Sequence, residues 1–447
     1  MAKYFGTNGV RGKFEDLNPE LTMKLARAIG IYLKRGKVLV GRDGRLTGDC
    51  LKHAVFAGLQ SVGCKVVDLG MVSSPTAEYM VKKLSADGLV VITASHNPPE
   101  WNALKVVDGK GIAISREEGE NIEASVGNIK TAKWDSVSNV DFYVNATSDH
   151  SAAIIANVDL VKTRKRELKI VIDCGNAMAS LIAPMLLQEL GCSVLSLNST
   201  IDGRFPGRGS EPTKDALKGL IEAVKLNKAD IGMAWDGDGD RIVLIDEKGG
   251  FVVGDRVFAL SELSVLKKKK GPVVTTVATS KAIEDIATKF GVRTYYTKIG
   301  APYLCHELLA KNAVIAGEEV GGVIWPEVSL AKDGFLTAAK IVEHLAVSGK
   351  KLSELLKEVP TYFNEKTKIA ANDSQKIKIV EAMRDYAIKN KLNLIDIDGV
   401  RINSEDSWVI VRASGTENYV RIFAEAKTEE KAKKLMDEYV GLAKSFL

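Results

Sequence analysis

The sequence is poor in the residues that staple small proteins or build metal centres from sulfur and nitrogen. Five cysteines, Cys50, Cys64, Cys174, Cys192 and Cys305, occur in 447 residues, an odd number with no closely spaced pair. That excludes a disulfide scaffold and a thiolate zinc site and fits a reducing compartment. Cys174, in "IVIDCGNA", reads as a small residue in a strand-to-helix turn. Of five histidines, His53, His150, His306 and His344 share no ligand spacing and read as structural. His96 stands apart because Pro98 and Pro99 fix its loop. No window approaches about 18 consecutive apolar residues, and "MAKYFGTNGVRGKF" lacks the apolar stretch of a signal peptide. The expectation is a cytoplasmic chain that neither enters a membrane nor is exported. With 62 basic and 57 acidic residues the net charge is +5. No segment interleaves aromatics with a sustained basic run, so nucleic acid is not an expected partner. The one basic run, "LKKKKG" at 266–271, reads as the solvated end of a helix, where lysines favour the negative pole of the dipole.

What the chain has is length and repetition. A composition of 45% hydrophobic and 27% charged residues is that of globular protein, and 447 residues exceed one compact core. Three stretches follow one plan of strand, polar turn, helix, glycine stop and strand: "KVLVGRDGRLTGDCLKHAVFAGLQSVGCKVVDLG", "LKIVIDCGNAMASLIAPMLLQELGCSVLSLN" and "GPVVTTVATSKAIEDIATKFGVRTYYTKIG". Gly63, Gly191 and Gly291 fall where the helical period ends. This spacing implies parallel strands with a helix packed on the sheet. Downstream of each unit a further strand runs into a conspicuous loop, in "DGLVVITASHNPP", "ADIGMAWDGDGDR" and "NAVIAGEEVGG". A period near 100 residues means repeated domains rather than a solenoid of short repeats. The last 80 or so residues break the plan with hairpin-like "IDIDGVRI" and "SWVIVRASGTENYVRIFAEA" before a terminal helix. The predicted fold is three repeated α/β domains of common topology plus a smaller C-terminal α+β domain, with boundaries at 1–150, 151–250, 251–367 and 368–447.

The loops carry the chemistry. "LVVIT" is strand-like and "NPP" stops strand and helix alike, so Ser95 is expected at an abrupt strand end, exposed and rigidly placed. Strand ends are where open α/β sheets hold ligands. Asp236, Asp238 and Asp240 alternate with glycines in "WDGDGDR", which lets three carboxylates converge on a cation. A calcium-loop reading, with Glu247 at the twelfth position, fails because Arg241 stands where that loop needs glycine and "RIVLID" is a strand. A magnesium site follows; an acidic turn with no ion is the plainer alternative. In "VRASGTENYVRI", Arg412, Ser414, Gly415, Thr416 and Arg421 offer two guanidinium groups, two hydroxyls and exposed backbone N–H groups, suited to a phosphate dianion. Lys105, with Asn102 before it, is either a strand-edge residue in water or a charge partner for a phosphorylated serine.

Taken together, these segments resemble the α-D-phosphohexomutase family of phosphoglucomutase, phosphomannomutase and phosphoglucosamine mutase. "TASHNP" resembles its phosphoserine loop, "DGDGDR" its metal loop, "GEEVGG" its sugar-binding loop and "RASGTENYVRI" its phosphate-binding loop, in the family's order and one per domain. "FGTNGVRG" resembles its opening segment. The resemblance implies four domains around a central cleft. It implies a phosphoryl group on Ser95, Mg²⁺ held against it by Asp236, Asp238 and Asp240, and Arg11, Lys105, Arg241 and His96 at the reacting centre. Glu318 would bind sugar hydroxyls with Lys298 beside them, and Arg412, Ser414, Gly415, Thr416 and Arg421 would grip the phosphate that is not reacting. Phosphoserine would convert a hexose monophosphate to a hexose 1,6-bisphosphate that turns over and returns its other phosphate to Ser95, with flexible docking of the fourth domain. Many relatives carry a serine and a terminal histidine in the sugar loop, where Val320 and Gly322 stand here, and a proline where Asn418 stands. The expected partners are sugar phosphates, and the chain is a monomer or homodimer. A metal-dependent sugar phosphatase and a non-catalytic sugar-phosphate sensor are the rival readings, and phosphoglucosamine is the alternative main substrate.

Overall fold

The computed structural model describes residues 4–6, 9–127, 129–414 and 418–447. The chain divides into two compact units, Met1–Ser264 with Val320–Leu356, and Val265–Glu319 with Lys357–Leu447.

In the first unit, the opening repeat pairs Lys37–Arg42 with Lys65–Met71 in parallel, joined by the helix Gly48–Ser61. Gly88–Ile92 lies parallel on the other side of Lys37–Arg42, and all five of its residues are buried. Such β-branched and apolar runs suit a central strand covered on both faces. Trp101–Asp108 then turns back antiparallel to Gly88–Ile92 and carries Gly9–Lys13 beyond it, in a seven-stranded sheet whose far edge is Val140–Phe142. The second repeat pairs Lys169–Asp173 in parallel with Ser193–Leu197 and with Ile231–Trp235, which hairpins into Ile242–Asp246. The helix Gly334–Ser348 also belongs to this unit, and Asp333 caps it by accepting from the N–H groups of Phe335 and Leu336.

In the second unit the third repeat forms the parallel strands Thr294–Thr297, Val273–Thr276 and Ile315–Gly317. The C-terminal sheet is antiparallel, in the order Phe363–Ala370, Tyr419–Ala426, Ser407–Ala413, Val400–Asn403 and Asn393–Ile395. Its first strand begins a few residues ahead of 368. Helices Asp373–Lys389 and Glu429–Lys444 bury Ile379, Met383, Met436 and Tyr439 against Val409, Val411 and Ile422. Among the described residues no helix is long and apolar enough to cross a membrane.

One core residue sets a stability expectation. Glu262, on the helix Gly254–Leu266, is fully buried, and neither carboxylate oxygen has a hydrogen-bond partner among the described residues. Burial alone raises its pKa well above the ordinary range, so it folds protonated. The unfolded chain releases that proton near the ordinary pKa of 4.5. Stability therefore falls by about 1.4 kcal/mol per pH unit from there up to the raised folded value. Glu262→Met, apolar and of similar length, should raise the melting temperature more at pH 7.5 than at pH 5. An equal gain at both would mean that Glu262 is not protonated in the fold.

Candidate active site

The strand Gly88–Ile92 ends in Thr93, whose hydroxyl accepts from the Ser95 N–H at 3.0 Å and donates to Asp43 at 2.6 Å. Ser95 itself has φ of 51°, the left-handed region, a strain of about 1–3 kcal/mol for a non-glycine residue. The surrounding loop is held by Arg45, buried and ion-paired to Asp43, which donates to the carbonyls of Ser95 (2.8 Å), Asn97 (2.7 Å), Pro98 (2.5 Å) and Trp101 (3.0 Å). Ser210 adds its hydroxyl to the carbonyls of His96 and Asn97. The sequence predicts an exposed serine, but Ser95 is buried at 2% exposure. The metal-loop segment covers it: a Cβ on Gly237 would fall on the Ser95 carbonyl oxygen, so only glycine permits this approach. Ser95 Oγ donates to Asp236 Oδ2 at 2.6 Å.

Asp236, Asp238 and Asp240 leave the end of Ile231–Trp235 and are all buried, with one oxygen from each within 4.8 Å of the others. Burial, then the charges of Asp238 and Asp240, push the Asp236 carboxyl well above its usual range. Burial also pushes Asp238 upward, but the Lys105 ion pair and the Ser74 hydroxyl outweigh it and hold that carboxyl low. Asp240 is likewise held low against burial, chiefly by Lys332, whose Nζ lies 3.0 Å from Oδ2. Asp238 Oδ1 is buried and has no hydrogen-bond partner among the described residues. An all-oxygen donor set with a spare buried oxygen and one strongly raised carboxyl fits a hard divalent cation such as Mg²⁺.

Cations surround the trio. Lys105, on Trp101–Asp108 opposite Val91, pairs with Asp238 and lies 3.4 Å from Ser74 Oγ. Arg241 lies 3.5 Å from Asp240 and donates to His96 Nδ1 at 3.0 Å. Burial, then the charges of Arg241 and Arg11, lower the His96 pKa to about 3. His96 is therefore a neutral acceptor at working pH, and its Nδ1 stands 3.3 Å from Ser95 Oγ. Arg11 donates to Asn97 Oδ1 at 2.5 Å. A cavity of about 150 Å³ lined by Glu211, Thr213, Asp236, Arg241, Val253 and Val320 opens beside this cluster. Cys174 is buried, its thiol pushed up to about 12 by burial and then by Asp173, and so is inert.

In the second unit, Glu318 is buried just past Ile315–Gly317, and Lys298, just past Thr294–Thr297, lies 5.4 Å over the Tyr303 ring. Arg412 and Arg421 face each other across adjacent antiparallel strands and line a small cavity of about 40 Å³ with Glu319 and Ile299. Ser414 is buried, and its carbonyl accepts from Lys376 at 3.1 Å. Gly415 and Thr416 lie outside the described residues. Sequence reasoning missed Arg45, Ser74, Ser210 and Lys332. The only signal for the first was an Arg–Asp–Gly–Arg run at a strand end; Lys332 looked like part of a turn in "AKDG".

Residues 2–133, 148–250 and 253–363 match the phosphoglucomutase/phosphomannomutase alpha/beta/alpha domains I, II and III, and residues 364–442 match the C-terminal domain of the same family. The chain is 42% identical to a phosphoglucomutase/phosphomannomutase of Thermococcus kodakarensis, with 100% of each chain covered. It is 39% identical to a phosphoglucosamine/phosphogalactosamine mutase of Sulfurisphaera tokodaii, covering 98% of each. A crystal structure of a phosphoglucomutase/phosphomannomutase family protein from Burkholderia thailandensis superposes with a TM-score of 0.88 at 26% identity, covering 98% of this chain and 96% of that one. With four domain matches in order along a chain that carries a serine against an aspartate trio, this protein belongs to the phosphoglucomutase/phosphomannomutase family, the α-D-phosphohexomutases, and is an isomerase of that class.

Proposed function

We propose that the chain interconverts hexose 1-phosphates and hexose 6-phosphates through phosphorylated Ser95 and a hexose 1,6-bisphosphate. The observation that carries this reading is the contact of Ser95 Oγ with Asp236 inside a buried carboxylate trio ringed by Lys105, Arg241 and Lys332. Mg²⁺ held by Asp236, Asp238 and Asp240 would supply neutralisation of the charge that grows on the serine oxygen as its bond to phosphorus breaks. A sugar hydroxyl bonds to the phosphorus, the bond to Ser95 Oγ breaks, and the hydroxyl's proton ends on that oxygen. Lys105 and Arg11 provide positive charge beside the transferred group, and neutral His96 orients Arg241 toward it. Glu318 and Lys298 bind the sugar, while Arg412, Ser414, Gly415, Thr416 and Arg421 hold the second phosphate.

A panel of glucose, mannose and glucosamine phosphates, assayed for both isomer and inorganic phosphate, tests the reading. Isomer without stoichiometric phosphate is expected; phosphate release alone would make the protein a phosphatase. Val320 lines the cavity at the reacting centre and supplies no hydroxyl. One missing hydrogen bond changes preference by up to about tenfold, so turnover of several C2 variants within a modest range is expected. Val320→Ser with Gly322→His should narrow that range. An unmodified preference above about a thousandfold, near 4 kcal/mol, would put specificity elsewhere.

A further inference from the structure

The hairpin of Asn393–Ile395 and Val400–Asn403 clamps two loops that leave the parallel strands of its own unit. Arg401, buried, donates to the carbonyls of Val277 (2.6 Å) and Thr279 (3.2 Å) and lies 4.1 Å over the Trp408 ring. At the turn of the same hairpin, Asp398 Oδ1 accepts from Arg412 Nε at 2.8 Å, and Oδ2 accepts from the backbone N–H of Ile299 at 2.9 Å. Gly399 makes this approach possible, since a Cβ there would meet the Val411 carbonyl oxygen at 2.6 Å. Among the described residues Arg412 makes no other side-chain hydrogen bond, so both terminal amino groups are left for a ligand. Ile299 and Arg412 line the same 40 Å³ cavity, and Lys298 directly precedes Ile299.

We propose that Asp398 is a positioning residue for substrate phosphate: one rigid carboxylate fixes the guanidinium of Arg412 and, through Ile299, the backbone that carries Lys298. It sets the separation between phosphate grip and sugar contact, and it touches no substrate itself. The inference rests on the reading of Arg412 as a phosphate ligand.

The test compares wild type, Asp398→Asn and Asp396→Asn by KM and kcat for glucose 1-phosphate, and by competitive inhibition with inorganic phosphate. Asp396 lies two residues away on the same turn and pairs outward with Arg384 at 2.5 Å, so it serves as a control. Asp398→Asn should raise KM and the phosphate inhibition constant about tenfold while kcat stays within about twofold; Asp396→Asn should leave both unchanged. In Arg412→Lys, which lacks Nε, adding Asp398→Asn should raise KM by clearly less than it does in the wild type, since only the Ile299 contact remains to be lost. A lowered melting temperature with unchanged KM, or additive effects in the double variant, overturns the proposal. If Asp398→Asn does not fold, Asp398→Glu, which keeps the charge on a longer arm, carries the same KM measurement, and a wild-type KM there also overturns it. A wild-type protein that isomerises no sugar in the panel would instead sink the functional reading.

Discussion

Ser95→Ala should lose isomerisation entirely while keeping its fold. Removing a covalent nucleophile costs on the order of 10⁶ in turnover, and alanine cannot carry a phosphoryl group. Among the described residues the Ser95 hydroxyl hydrogen-bonds only to Asp236 and His96, while the loop's shape rests on Arg45, Thr93 and Ser210. The melting temperature should therefore stay near that of wild type. Intact-protein mass spectrometry should find a phosphorylated fraction in the wild type and none in the variant. Full turnover by Ser95→Ala would refute the assignment.

Asp238→Asn should remove magnesium binding and cut turnover by about 10³ or more, the equivalent of several kcal/mol of charge stabilisation. Asparagine keeps an acceptor for the Ser74 hydroxyl but loses the charge that pairs with Lys105 and the anionic oxygen that has no hydrogen-bond partner among the described residues. Titration calorimetry with Mg²⁺ reads the loss independently of catalysis. Chelation of the wild type should abolish turnover and added Mg²⁺ restore it. Wild-type affinity in Asp238→Asn, or activity surviving exhaustive chelation, would dismiss the trio as the metal site.

Much of this was legible in the chain. The strand-helix-strand periods gave the parallel pairs, because a period of two followed by an apolar helical stripe and a glycine stop admits few other folds. Asp236, Asp238 and Asp240 were visible because alternating glycines leave only the carboxylates to explain. The burial of Ser95 was not, since its cover comes from a loop 141 residues away. Lys332 and Ser74 were missed for the same reason: neither has a local signature, and each acquires meaning only from the aspartate it meets. Arg45 is a harder case, a full charge with no exposed surface, which composition predicts to be outside.

That arginine spends all five of its N–H donors, one on Asp43 and four on the carbonyls of the serine loop. With those carbonyls held on one side, the backbone from Ser95 to Trp101 is pinned at four points by one side chain. The loop is then expected to keep one backbone shape whether or not Ser95 carries a phosphoryl group. Hydrogen exchange at the Ser95 and Asn97 amides, which donate to the Thr93 hydroxyl and the Ala94 carbonyl, is therefore expected to be slow.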